Sequence, residues 1–413
     1  MRSQLVYSTR RYISSNWTFQ KGKLTLQKLK DKSTIDETIN QVNVVFPDQF
    51  GRLTGLKLNA EYFADEVEKH QKQSTSEKES LPFFEYKYNP FRFDVQGKPI
   101  TFDDDVKLSK SIRLVPDLDT LREQPWLSKE AVVMADVYDI ETDKKIKFAP
   151  RNLMKETINQ LNFSKDLDQV KSQIMFSFVL HKLGKEEKDQ HHNSHKGMLT
   201  LEQGWGEVLD DCKKSLHNIG IPVQAKDQTH INNQFRFHLR QVQGNLLSQC
   251  DMFHLGKHAM KFIGYTHQYD ISSLPIDSSK NPNDLILNLE GMEIHPSVLQ
   301  NILYFAPNIN SVRRLRDRKN GDIFKQKGEQ SYEIAISAPD VNLYLALSNL
   351  LKTQPNHEKA LKIPRNYEEA LGMFEEYKDN QDSEVYNYYH QLFKHEQNEF
   401  NDFFTKWEVN RIY

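Results

Sequence analysis

The chain has 413 residues and a formal net charge of -2, from 55 Lys and Arg against 57 Asp and Glu. That length accommodates two or three domains, and 24 Phe, 17 Tyr and 4 Trp exclude a disordered chain, which lacks the apolar bulk to offset ordering entropy. The balanced charge speaks against direct nucleic-acid binding, which draws on a basic excess, and the two cysteines, Cys212 and Cys250, cannot build a disulfide framework.

Sixteen glycines are about half the usual share of ~7%. Gly-rich phosphate loops and close-packed α/β crossovers consume glycine, so the composition weighs against a nucleotide-binding α/β enzyme. No cofactor is expected. No run of about 18 mostly apolar residues is present, so no transmembrane span is expected, although peripheral contact with a membrane is compatible with the sequence.

Residues 1–20 read as a mitochondrial presequence and an extended N-terminus. Arg2, Arg10, Arg11, Lys21, Lys23, Lys28 and Lys30 all precede the first carboxylate, Asp31, and the opening segment is amphipathic and carries Ser and Thr, as organelle transit peptides do. The stretch Arg10-Arg11-Tyr12-Ile13-Ser14-Ser15 resembles a matrix-peptidase cleavage site. Residues 21–80 follow as a mixed segment. Val42 to Phe46 is a plausible strand before the Pro47-Asp48 turn, and the charged run Ala64 to Ser80 reads as a linker or an exposed helix end.

Over residues 81–150 period two dominates: Phe84, Tyr86 and Tyr88, then Phe91, Phe93 and Val95 before the turn at Gln96-Gly97-Lys98-Pro99. Val132 to Tyr138, a turn at Glu141 to Lys144, and Lys145 to Phe148 form the clearest hairpin. This is a β-rich module.

Residues 151–413 change to helical spacing. Met154, Ile158 and Leu161, then Leu167, Val170, Ile174 and Phe178, predict one or two helices ending at Gly184. Trp205 to Ile219 predicts another, closed by Gly220 and Pro222. Leu239, Val242, Leu246, Cys250 and Phe253 predict a long helix over 234–262. Pro296 to Phe305 predicts a short one. Asp340 and Asn366 are read as N-caps of two more. The expected fold class is therefore mainly α, a helical array with a smaller β-containing N-terminal module, α+β overall.

Chemistry-bearing groups are sparse. His254 and His258 lie four apart on one predicted helix face, and Cys250 precedes them by four, so the three are candidate metal ligands. No carboxylate accompanies them, Gly256 weakens the helix between them, and core packing is the favoured reading of Cys250. His191, His192 and His195 read as solvated loop residues. The cluster Arg313-Arg314-Leu315-Arg316-Asp317-Arg318-Lys319 reads as a solvated end or turn.

The C-terminal aromatic stripe is the most suggestive binding feature. Tyr389, Phe393, Phe400, Phe404 and Trp407 would anchor a partner if exposed, and are core if they pack inward. No Walker loop, nucleophile elbow, kinase set or Cys-x-x-Cys occurs. No catalytic residue is assigned. The expected function is a non-catalytic accessory subunit of a matrix-facing mitochondrial inner-membrane assembly, ATP synthase or a respiratory complex, with other protein subunits as partners. A peripheral mitochondrial ribosomal protein, or a matrix enzyme whose site is not recognisable, are the alternatives.

Overall fold

The computed structural model describes residues 21–73, 83–162, 167–184, 205–228, 234–272, 285–294, 302–304, 323–336, 340–352, 364–376, 378 and 382–402. The presequence over 1–20, the histidines of 191–195, the basic cluster of 313–319, Phe404 and Trp407 lie outside them.

A short helix, α1 (Leu26–Lys30), capped by Thr25, leads into β1 (Gln41–Pro47). Val42, Val44 and Phe46 of β1 are fully buried, as alternation requires. The chain turns at Asp48, whose carboxylate accepts from the Phe50 and Arg52 amides, and returns as β2 (Leu53–Asn59). Helix α2 (Ala60–Gln73) follows without a break. Its Ala60, Phe63, Ala64 and Val67 are buried at three- and four-residue spacing, so the first half of the charged run after Ala64 is an amphipathic helix.

Then come β3 (Phe84–Tyr86), β4 (Ile112–Pro116), β5 (Arg122–Glu123) and β6 (Glu130–Asp139). The first sheet runs β2-β1-β6-β4-β3, with β5 also on β6. β1 and β6 are parallel and the other pairs antiparallel. The expected hairpin is present only as its first arm: Tyr138 bridges Lys145, and the chain then enters α3 (Pro150–Asn162).

Beyond α3 the expected helical array gives way to a second sheet. It comprises β7 (Lys171–Lys182), β8 (Val223–Gln228), β9 (Gln234–Leu239), β10 (Val242–Gln243), β11 (Tyr269–Ser272), β12 (Leu285–Glu290), β13 (Phe324–Gly328) and β14 (Ser331–Ile336). Its order is β13-β14-β12-β7-β9-β8, antiparallel throughout, with β10 and β11 also on β7. The sheet curves into a half-barrel.

The mainly α expectation is thus corrected to α+β with two multi-stranded sheets, and the cause is specific. Val170, Ile174 and Phe178 are four apart, a spacing that fits one helix face and equally one strand face, because four is a multiple of two. The intervening Phe176 and Leu180 settle it, being buried on the same face. The helix expected over 234–262 is strand β9, strand β10 and then α5 (Leu246–Thr266), which Asn245 caps by accepting from the Ser248 amide.

Helices α4 (Trp205–Asn218) and α5 pack together, α4 on β8 and α5 on β7. Phe253 meets Phe176 edge to face at 5.6 Å, and Trp205 meets Phe235 likewise. Burying each such ring contributes about 2 to 3 kcal/mol. Helix α6 (Leu343–Lys352) packs on α3 and α5. Helices α7 (Tyr367–Glu376) and α8 (Ser383–Asp402) pack on each other, and α7 is capped by Asn366 as expected.

Candidate ligand trough on the larger sheet

One face of the second sheet is committed to packing. Ile174, Phe176, Phe178, Phe235, Phe237, Leu285, Leu287 and Ile334 are buried there among the helices. Strand alternation turns the intervening residues to the other face of the half-barrel. Across the middle of the sheet, cross-strand register arranges these side chains in three rows. Asp227, Arg236 and Ser177 form the first. His238, Met175, Ile286 and Ala335 form the second, and Gln173, Asn288, Glu333 and Lys325 the third.

The first row is cationic and hydroxylic. Arg236 Nε donates to Ser177 Oγ at 3.2 Å, and Ser177 is itself buried. Asp227 is turned along the strand to His238 Nε2, 3.2 Å away. The middle of the second row is apolar. The third is a ladder of amides: Asn288 Nδ2 donates to Gln173 Oε1 at 3.3 Å, and Gln173 Nε2 to the Leu239 carbonyl at 3.1 Å. Asn288 Oδ1 is buried with no hydrogen-bond partner among the described residues, an acceptor short of a donor.

Glu333 closes the third row between two lysines, Lys327 and Lys325, the latter 3.6 Å away. Burial pushes its carboxyl up, but the two ammonium groups outweigh this and hold it below the ordinary glutamate range. A trough of this make-up offers side-chain cations, hydroxyl and amides around an apolar strip, the usual lining of a small-molecule site.

A divalent cation such as Mg2+ is held by carboxylate oxygens that converge on one point. The described carboxylates on this face do not fit that ion. Asp227 and Glu333 stand four strands apart, about 19 Å at the usual strand spacing, and each already has a cationic or imidazole partner; Glu290, further along β12 on the same face, is 3.9 Å from Lys171, and Asp270 lies opposite His181 at the other end of β7. Among the described residues no group of three or more His, Cys, Asp or Glu is placed to hold a metal.

The residues singled out in the sequence lie elsewhere. His254, on α5, is buried and uses both ring nitrogens. Nδ1 is 2.8 Å from the Gly51 carbonyl and Nε2 accepts from the Leu343 amide at 3.2 Å, with the Tyr344 ring stacked 5.0 Å away. No lone pair is left for a metal, so this histidine joins the β1–β2 turn to the start of α6. Cys250 is fully buried, and burial drives its thiol well above the ordinary cysteine range. His258 lies beside Phe262, its pKa lowered by burial. Of the aromatic stripe, Tyr389 and Phe393 are core: Tyr389 donates to the Phe148 carbonyl and packs edge to face on Tyr304. Phe400 falls within α8.

The state of His254 has a measurable consequence. Burial, then Lys257, push its pKa well below the ordinary 6.5. Below pH 6.5 the unfolded chain takes up a proton that the folded chain refuses, so acid favours unfolding. Between pH 7.5 and 5.5 the wild type should lose about 1.4 kcal/mol more stability than a His254→Gln variant, read by urea denaturation at both pH values. Equal losses would mean that His254 titrates normally.

A second cleft, of about 440 Å3, opens where Lys145 and Lys155 face the start of α5 at Gly244, Asn245 and Leu246. Both lysines are already turned to Asp136, and Lys155 also to Asp117. The half-barrel trough carries the less committed chemistry.

No family model matches the chain, and no curated protein sequence matches it. Solved structures do. Ligand-free GmaS superposes with a TM-score of 0.66 at 15% identity, covering 92% of this chain and 98% of that one. GmaS in complex with ADP gives the same TM-score at 14% identity, covering 93% and 98%. GmaS is a glutamine synthetase-like enzyme. This overturns the expectation of a non-catalytic accessory subunit of ATP synthase or a respiratory complex, for which nothing in the fold speaks. Across nearly its whole length the chain has the glutamine synthetase-like fold of GmaS.

Proposed function

We propose that the chain is an ATP-using enzyme that holds an adenine nucleotide in the half-barrel trough. The observation that carries this reading is the likeness to the ADP complex of GmaS over 93% of the chain. The trough supports it chemically: Met175, Ile286 and Ala335 give a flat base an apolar seat, and Arg236 lies one row away for a phosphate. Calorimetric titration of the purified full chain should show ADP and ATP binding with Kd between about 1 μM and 1 mM, the range usual for enzyme substrates. No binding in that range would sink the proposal.

The pairing of Glu333 with two lysines favours a second reading, a nucleotide-binding protein that does not turn its ligand over. The same preparation decides between them. ADP accumulating from bound ATP supports the enzyme; tight binding with no ADP formed supports the binding protein.

A further inference from the structure

We propose that the trough holds an anionic group, phosphate or carboxylate, directly on Arg236 with no divalent cation between, and this rests on reading the trough as a ligand site. Arg236 sits on β9 between β7 and β8. Its Nε bond to Ser177 Oγ, at 3.2 Å, fixes the plane of the guanidinium and occupies one of its five donors. The terminal nitrogens make no bond to any described residue. A half-buried arginine on a sheet face ordinarily finds a carboxylate. Here Asp227, directly opposite on β8, is turned to His238 instead.

The neighbouring cations are differently placed. Lys325 and Lys327 are neutralised by Glu333, and Lys171 stands 3.9 Å from Glu290. Arg236 therefore presents an oriented fork whose terminal donors are unused, the geometry that grips phosphate or carboxylate bidentately. Among the described residues Asp227 is the carboxylate opposite Arg236 and is spent on His238, and no group of three His, Cys, Asp or Glu is placed to hold a metal, so the positive charge a bound anion needs comes from the side chain itself. The apolar middle row receives the rest of the ligand.

The test titrates the full chain and two variants, Arg236→Gln and Arg236→Lys, with ADP, inorganic pyrophosphate and succinate, each in excess EDTA and in excess magnesium chloride. The expected result is binding of at least one probe by the wild type, unchanged by EDTA. Arg236→Gln should weaken it about 10- to 100-fold. Arg236→Lys, which keeps the charge but loses the fork, should fall between. Pyrophosphate without succinate identifies phosphate as the group held, and succinate without pyrophosphate identifies carboxylate. Thermal melting establishes that the variants are folded; should Arg236→Gln not fold, Arg236→Lys carries the comparison.

Binding seen only with magnesium, or binding as tight in the variants as in the wild type, overturns the proposal. ADP bound with no dependence on Arg236 leaves the nucleotide reading standing and removes this one. Pyrophosphate or succinate bound through Arg236 while ADP is refused does the reverse. Refusal of all three probes by the wild type overturns both.

Discussion

Replacement of Arg151 by methionine is expected to cost about 3 to 5 kcal/mol of folding stability, the range for removing one partner from a buried ionic cluster. Arg151 is 1% exposed. It grips Asp251 with Nε and Nη2, each at 3.0 Å, while Nη1 reaches Asp136 at 2.6 Å and Nη2 also reaches Asp117 at 2.8 Å. Lys155 is 2.9 Å from both Asp117 and Asp136, and Tyr344 donates to Asp251 at 2.6 Å.

The cluster joins the first sheet, through Asp117 and Asp136, to α3, α5 and α6. Burial pushes Asp117 upward, yet Arg151 and Lys155 outweigh it and bring its pKa to about 2. Methionine matches much of the stem's volume, so the predicted loss comes from charge and not from a cavity. Three carboxylates would be left with the ammonium groups of Lys155 and, 3.8 Å from Asp136, Lys145. Urea denaturation at neutral pH reads the loss, and adding Asp251→Asn to the variant should recover part of it, because one uncompensated charge is removed. A loss under about 1 kcal/mol, in the range of exposed ion pairs, would mean that the cluster is hydrated in solution.

How much of this was legible follows from how each feature is encoded. Strand β1 was, because Val42, Val44 and Phe46 alternate over a short stretch that ends in a turn. Helix α4 was, because its apolar face recurs through Trp205, Val208, Leu209, Cys212 and Leu216 and stops at Gly220. The α7 cap was, because Asn366 bonds to the amide three residues on. All three are local signals.

Strand β7 was not legible, because its longest apolar spacing, Val170-Ile174-Phe178, satisfies both periods. The trough was out of reach for a different reason. Arg236, Ser177, Asn288, Glu333 and Met175 come from four strands spread over 171–336, one or two side chains from each, and only the pairing order makes them neighbours. No run of sequence contains a motif.

The glycine count speaks to one kind of site only. Scarcity of glycine counts against a phosphate loop at a βα turn, whereas a site on the face of an antiparallel sheet needs no such loop. The histidines at 254 and 258 show the limit of spacing taken alone. Spacing of four is necessary for two imidazoles to share a metal, but His254 is spent on Gly51 and Leu343, partners no helical wheel displays.

Glycine does decide one position, and the second large effect is expected there. Gly55 lies opposite Val45 in the β1–β2 pair. A methyl group added at its Cα would stand 1.9 Å from the Val44 carbonyl oxygen and 2.9 Å from the Val45 Cα. Both obstacles are backbone, so no rotamer change relieves them. Nor can β1 retreat, because its other edge is held by β6 from Gln41 to Val45. Gly55→Ala must therefore push β2 off the sheet edge or break the register that lets α2 pack behind it. A loss of about 3 kcal/mol or more is expected, at the upper end of overpacking costs. Gly97→Ala is the control. Gly97 has φ +84 in a turn with nothing within 4 Å of the added carbon, so it carries only the conformational penalty, about 1 to 2 kcal/mol. Denaturation midpoints compare the two, and amide exchange across β1 locates the damage. If Gly55→Ala proves no worse than Gly97→Ala, the close approach of β2 to β1 is wrong and the first sheet ends at β1. A clear excess, with exchange quickened in β1 and β2 alone, fixes β2 as the edge strand and Gly55 as the residue that lets it lie there.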